Sequence, residues 1–157
     1  MSKYTSISEI SAALKALIQE TFPEDTVYLE RTPVDFKRPA FLVETGKIKA
    51  LPFSRGALLL QMSWKISAFV AVDEYYDSHF AELHDRLMIL VGLFSRQYVQ
   101  VGDRAIKFSK PPEGETPGLD FAEVLLHLEW TEDRSAFPPS EETPPMVEEV
   151  QIRRDLR

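Results

Sequence analysis

The sequence predicts an α+β fold, in which a mainly antiparallel sheet carries two helices packed on one face, in the order α-β-β-β-α-β-β-β. Two long segments alternate apolar and more polar residues, which is typical of strands with one buried face. Two other segments repeat their apolar residues every three or four positions, which is typical of helices. No series of parallel β-α-β units is apparent, so an α+β fold is favoured over a doubly wound one.

The longest alternating segment spans residues 57–73, and from Leu58 onward every second residue in it is apolar. These positions are Leu58, Leu60, Met62, Trp64, Ile66, Ala68, Val70 and Val72. The residues between them are mixed and more polar. Because successive side chains of a strand point to opposite faces, the pattern predicts a central strand with one face in a core. The other face is expected to meet water, a cavity or another subunit.

The first helix is predicted over residues 7–21, with apolar residues at helical spacing. Ser6 and Glu9 have the spacing of a capping box, in which each side chain accepts a hydrogen bond from the other residue's backbone N–H. Pro23 is expected to end the helix.

Three segments precede the long strand. Residues 26–31 are predicted to form a short strand, since they include β-branched and aromatic side chains. Residues 32–39 form a connection, and residues 40–50 read as a second strand in which Gly46 indicates a bulge or bend. Residues 51–56 are predicted to be a loop.

The second helix is the clearest helix prediction, and it runs over about residues 79–94. Its apolar stripe consists of Phe80, Leu83, Leu87, Leu90, Val91 and Phe94.

A hairpin and a final strand follow this helix. Residues 98–101 and 105–109 are predicted to pair through a turn at Gly102, where glycine in the first turn position suits a type II′ turn. A loop rich in proline and glycine, residues 110–118, then leads to a long alternating strand over residues 119–131.

The chain is predicted to divide into one α+β domain, residues 1–132, and an acidic tail rich in proline, residues 133–157. The tail is expected to be extended or disordered. Val150, Ile152 and Leu156 reappear among charges near its end. This segment is interpreted either as a frayed terminus or as a strand or short helix that docks on a partner.

Composition restricts the function. The chain has 157 residues, a formal net charge of −7 and no cysteine. The acidic balance disfavours nucleic acid and anionic membranes as partners, because phosphate groups favour lysine and arginine. The lack of cysteine excludes disulfides, thiolate metal sites and cysteine nucleophiles. No signal peptide or stretch of membrane-spanning length is apparent, so the cytoplasm of the producing cell is the expected location.

The sequence offers no convincing catalytic or metal site, and no cofactor is predicted. His79 and His84 lie five residues apart, whereas a zinc-binding helix needs a separation of four. His127 lies between Glu123 and Glu129 on the mixed face of the last strand. No phosphate-binding loop, dinucleotide fingerprint or nucleophile elbow is present.

Two clusters of charge have competing interpretations. The acidic residues Asp73, Glu74 and Asp77 have the composition of a site for acid–base chemistry or for magnesium binding. They also suit the cap of the second helix, and this capping role is the favoured interpretation. The basic residues Lys47, Lys49 and Arg55 are either a solvated loop or a surface that meets an acidic neighbour. No enzymatic activity is therefore predicted.

The stretch TFPEDTVYLE at residues 21–30, followed by PVDFKRPAFLVE at residues 33–44, resembles the start of tail terminator-like (tail completion) proteins from phages and prophages of Gram-positive bacteria. In that group a helix leads to a "VY-E" strand and then to a loop ending in "RP-F-V". The later elements agree in order, and the resemblance extends over about residues 7–131.

The resemblance implies a virion structural protein that forms a ring, commonly a hexamer. The ring would cap the head-proximal end of the tail tube, stop its polymerisation and offer a surface for joining the head. The implied partners are other copies of the chain, the tail tube protein and the head–tail connector protein. The implied location is the virion tail, after assembly in the bacterial cytoplasm.

Five residues are the candidate inter-subunit or tube contacts on this hypothesis. They are Lys47, Phe53, Arg55, Tyr75 and Tyr76. Exposed aromatic residues often anchor interfaces, although two adjacent tyrosines also pack well beneath a turn.

Two alternatives stay open at this point. A head–tail connector or head completion protein has the same general features. A small ligand-binding or enzymatic α+β domain would use the mixed face of the sheet as its pocket, with His127 and Glu129 as the polar residues.

Overall fold

The computed structural model describes residues 4–71 and 78–138, which form two helices and one seven-stranded sheet. The elements are α1 (Ile7–Thr21), β1 (Thr26–Leu29), β2 (Ala40–Ser54), β3 (Ala57–Phe69), α2 (Ser78–Leu93), β4 (Tyr98–Val101), β5 (Arg104–Phe108), β6 (Glu113–Glu115) and β7 (Phe121–Asp133), followed by a single 3₁₀ turn (Arg134–Ala136). The predicted α+β class and the order of its main elements are confirmed.

The strands lie in the order β1-β2-β3-β7-β5-β4, and β6 pairs with β7 beside β5. β1 runs parallel to β2, and every other pairing is antiparallel. The pairing of β3 with β7 runs without interruption from Ala57 opposite Asp133 to Phe69 opposite Phe121. These two strands form the centre of the sheet.

Both helices contribute to a core on one face of the sheet, as the alternating pattern predicts. Alternate residues of β3 and β7, including Trp64 and Leu126, are buried against Leu14 of α1 and Leu90 of α2. The opposite face of these strands carries the more polar set and is only partly covered. We call it the open face.

The predicted capping box starts α1. The Ser6 side chain accepts a hydrogen bond from the Glu9 backbone N–H, and the Ser6 backbone N–H donates to Glu9 Oε1 at 2.9 Å. The hydrogen bond from the Ser6 backbone N–H to the carboxylate, and after it the Ser6 side chain, favour the ionised form and lower the pKa of Glu9. The hairpin between β4 and β5 also follows the prediction, since Gly102 has a φ of +62° as its first turn position requires.

Several boundaries differ from the predictions. The predicted loop over residues 51–56 is wrong, because β2 continues to Ser54 and only Arg55 and Gly56 form the turn. Gly46 does mark an irregularity, since the register of β2 against β3 shifts between Thr45 and Ile48. A Cβ atom at residue 46 would lie 2.3 Å from Ser63 Oγ, so the close approach of the strands favours glycine there.

Two further differences concern the second half of the chain. The loop over residues 110–118 contains the short strand β6, and the last strand is shifted to Phe121–Asp133. β3 ends at Phe69, whereas the sequence predicts a strand over residues 57–73. The predicted acidic cap residues Asp73, Glu74 and Asp77 lie outside the described residues.

A candidate interaction surface

One surface feature is a strand pair, β2 with β3, in which the second half of β2 is exposed. Every residue of β2 from 46 to Ser54 is exposed, although its successive side chains point to opposite faces. Neither face is therefore covered by the described residues. We call residues 46–60, which include this part of β2, the turn and the start of β3, the arm.

The arm has structural support on one side. Ala57 of β3 pairs with Asp133 of β7, and the Arg134 backbone N–H donates to the Gly56 carbonyl at 2.9 Å. The end of β7 therefore flanks β3 as far as the turn. The arm is an extension of the sheet and not a free loop.

Three of the predicted contact residues lie on the arm. Lys47 and Phe53 are exposed on β2, and Arg55 is exposed in the turn. The structure thus brings these three residues onto one projection. Tyr75 and Tyr76, the other two candidates, lie outside the described residues.

Apolar and cationic side chains are mixed on the arm. Phe53 is 62% exposed, Ile48 is 47% exposed and Leu51 is 37% exposed. Lys47, Lys49 and Arg55 are exposed beside them. Ile48 and Leu51 point to opposite faces of β2, so the arm exposes apolar side chains beside polar ones on both faces, as a surface that binds another macromolecule does. Sequence reasoning missed Ile48, which it placed in the second strand, and Leu51, which it assigned to the loop over residues 51–56.

The open face beside the arm carries a row of charges across adjacent strands. Lys65 Nζ lies 3.7 Å from a Glu44 oxygen and 3.3 Å from a Glu123 oxygen. Gln61 donates to Glu129 Oε1 at 3.1 Å. Such exposed pairs contribute little stability, but they hold the side chains in a defined order across the face.

A shallow groove of about 560 Å³ crosses the open face next to the arm. Its lining includes Lys47, Lys49, Lys110, His127 and Glu129. His127 and Glu129 therefore do lie in one groove, as the ligand-binding alternative requires.

The surroundings of His127 disfavour the charged form of its imidazole. Burial lowers the pKa of His127, the nearby Lys110 lowers it further, and Glu113 acts in the opposite direction. Ser63 is its neighbour across the strand pair. Among the described residues, the His127 side chain makes no hydrogen bond with Ser63 or Glu129 that would activate a nucleophile.

The far end of the open face is closed by aromatic residues. The rings of Phe36, Phe69 and Phe121 lie in sequence, with centroids 5.1 Å and 5.8 Å apart. The Arg38 guanidinium lies 5.0 Å from the Phe36 centroid and forms an ion pair with Asp120. This cluster packs the connection between β1 and β2 onto the sheet, and no pattern in the sequence predicts it.

Within residues 4–71 and 78–138, no group of three or more histidine, aspartate or glutamate side chains is placed to hold a metal ion. Neither helix in the described part of the chain is long and apolar enough to cross a membrane.

No protein-family model and no curated protein matches the sequence. Among solved structures, one protein whose name describes no function aligns with a TM-score of 0.54 and 16% identity, over 87% of this chain and 100% of its own. A chain from the virion of a native gene transfer agent particle aligns with a TM-score of 0.49 and 10% identity, over 83% of this chain and 98% of its own. The first likeness establishes a shared fold, and the second is too weak to support an argument.

Proposed function

We propose that this protein is a structural component of a phage or phage-like particle that caps the head-proximal end of the tail tube as a ring. The observation that carries the proposal is the arm, an extension of the sheet with exposed apolar and cationic side chains. The resemblance of residues 21–44 to tail terminator-like proteins supplies the particular role.

The mechanism would be steric. Subunits of the ring would occupy the docking surface on the last ring of tube subunits. They would present no docking surface of their own to a further ring of tube subunits. Phe53 would lose its contact with water on binding, and Lys47 and Arg55 would orient the arm against acidic groups of the partner. The surface that faces away from the tube would join the head through the connector protein.

A binding role suits the groove better than catalysis does. Its lining residues among those described form neither a nucleophile–base pair nor a metal site. The proposal therefore assigns no enzymatic activity. It places the protein in the virion tail after assembly in the bacterial cytoplasm.

Deletion of the gene from the phage or prophage tests the proposal directly. Tail length is measured by negative-stain electron microscopy, and the deletion is complemented with the intact gene as the control. Overlong tails in the deletion strain are the expected result. Tails of normal length that fail to join heads would contradict the proposal and identify a head completion protein instead.

A further inference from the structure

The outer edge of β2 has no partner strand along the arm. β1 pairs with β2 only as far as Val43. Just beyond this point, the Thr45 backbone N–H donates to the Glu30 side chain at 3.2 Å. From residue 46 to Ser54, no described strand pairs with the outer edge. The backbone groups that point outward there are therefore available to another strand.

A second edge of this kind lies on the other side of the sheet. β6 pairs with β7 along one edge, and no described strand pairs with its other edge. All three residues of the strand, Glu113–Glu115, are exposed. Pro112 and Pro117 flank it, and because proline has no backbone N–H to donate, they confine further pairing to a few residues.

The strand directions allow these two edges to meet in copies that have the same orientation. β2, β3, β7 and β6 lie side by side, and each is antiparallel to the next. β2 and β6 therefore run in opposite directions. When a second copy is placed beside the first without being turned over, its β2 meets β6 as an antiparallel neighbour and the open face continues between the two sheets. Head-to-tail contacts of this kind generate a ring when the rotation between subunits closes.

The two edges carry opposite charges on the open face. Cross-strand neighbours share a face, so Lys49 lies on the open face with Gln61, and Glu115 lies on it with Glu123. Glu113, two residues before Glu115, points the same way. Lys49 and the two glutamates of β6 form no ion pair with another described residue. Pairing would bring the lysine of one copy beside a glutamate of the next.

The opposite face offers apolar contacts at the same place. Ile48 points to that face of the arm and is exposed. Gly114 lies on that face of β6, where a Cβ atom would be 2.5 Å from Leu87 Cδ1 and 3.3 Å from Val91 Cγ2 of α2. Met88 lies about one helical turn before Val91 and is 73% exposed. The helix that covers β6 therefore presents an exposed apolar side chain near this edge.

We propose that the outer edge of the arm pairs with the outer edge of β6 in a second copy of the chain, with Lys49 beside a glutamate of β6 and Ile48 against α2. This inference rests on the ring of the proposed function, and it identifies the surface that joins the subunits. The pairing is short, so the tip of the arm with Phe53 and Arg55 extends beyond it and stays free for the tube.

Disulfides between single-cysteine variants of the full-length protein test the pairing, because the natural chain contains no cysteine. Lys49→Cys is mixed with Glu113→Cys or with Glu115→Cys, and the two chains carry tags of different size. The control mixes Lys49→Cys with Gln100→Cys, an exposed position on β4 at the end of the sheet. Each mixture is oxidised with and without purified tail tubes, and heterodimers are measured on non-reducing gels.

A heterodimer yield several-fold above the control is expected for at least one of the two mixtures. Yields no higher than the control for both would overturn the pairing. Lys49→Cys homodimers as the main product would also overturn it, since they would indicate two arms that meet around a two-fold axis.

The contact with α2 has its own test in the same assay. Met88→Asp, added to the Glu115→Cys chain, is expected to lower the heterodimer yield several-fold, because it places a charge in an apolar contact. The control is Ile89→Asp, which changes the next exposed residue of the helix, on a different side from Val91. Equal yields from these two variants would contradict the packing of the arm against α2.

Failure of this inference and failure of the proposed function give different results. Overlong tails in the gene deletion without heterodimers in the oxidised mixtures would support the capping role and overturn this pairing. Heterodimers together with tails of normal length in the deletion would support the pairing and contradict the capping role.

Discussion

The indole Nε1–H of Trp64 donates a hydrogen bond to Ser11 Oγ across a distance of 2.9 Å in the core. Trp64 is fully buried on β3, and Ser11 is buried on α1. This bond fixes the position of the first helix along the central strand. It also satisfies the single polar group of the fully buried Trp64 side chain.

Substitution Ser11→Ala is expected to destabilise the fold by about 1–3 kcal/mol, because the indole N–H would remain buried without an acceptor. Urea denaturation followed by tryptophan fluorescence measures the change. The matched control is Ser8→Ala, which alters an exposed serine of the same helix. Equal stability of the two variants would contradict the importance of the bond.

A second prediction concerns Glu132, whose carboxylate is buried at the end of β7. It accepts hydrogen bonds from Arg104 at 2.8 Å, the Thr5 backbone N–H at 2.8 Å and the Trp130 indole at 3.1 Å. Substitution Glu132→Ala leaves all three donors without this acceptor, so a loss of about 3 kcal/mol is expected.

The same urea titration measures this loss, with Glu115→Ala at an exposed glutamate as the control. A change of less than 0.5 kcal/mol, the usual size for an ordinary surface substitution, would show that the three donors find other partners.

A third prediction tests the arm as the contact with the tail tube. Phe53→Asp and Arg55→Glu are expected to weaken binding to the tube by about tenfold or more, because a buried aromatic anchor and its neighbouring charge would be lost. Binding is measured by co-sedimentation with purified tail tubes.

The matched controls lie in the connection between β1 and β2. Val34→Asp changes an apolar residue that is 96% exposed, and Lys37→Glu reverses an exposed charge. If these controls weaken binding as much as the arm variants do, the arm is not the contact surface.

A fourth prediction follows from the lowered pKa of His127, which burial and then Lys110 produce. In the unfolded chain the histidine takes up a proton near pH 6.5, whereas the folded protein resists protonation until a lower pH. Its contribution to stability is therefore complete above pH 6.5, and it is lost as the pH falls towards the native pKa.

The free energy of unfolding is compared at pH 7.5 and pH 5.5 for the natural protein and His127→Gln. The variant is expected to lose less stability between these two values. An equal loss in both proteins would assign the pH dependence to other groups.

Periodicity was sufficient to predict the helices and the two central strands. Trp64 and Leu126 each belong to an alternating series with one buried face, so their burial follows from the sequence alone. The class of the fold and the asymmetry of the sheet were accessible for the same reason.

Other features depend on tertiary pairing and were not predicted. Gly46 and Pro52 interrupt the pattern of β2, yet pairing with β3 keeps the strand extended to Ser54. Glu113–Glu115 has no apolar periodicity, and it becomes a strand only because it pairs with β7.

Three of the predicted contact residues lie near one another on the arm for a local reason. Lys47, Phe53 and Arg55 are close together in the sequence, so any compact structure for this segment keeps them near one another. The groove around His127 joins residues from distant parts of the chain, and its shape depends on the register of three strands.

The uninterrupted register between β3 and β7 restricts how related sequences can change in length. Removal of a single residue from either strand would exchange the inward and outward side chains along the rest of the ladder, and Trp64 or its neighbours would then face solvent. β2, which already contains two register shifts, has places where an extra residue can be accommodated. Insertions and deletions among homologues are therefore expected in β2 and its connections, while the central pair diverges by substitution alone.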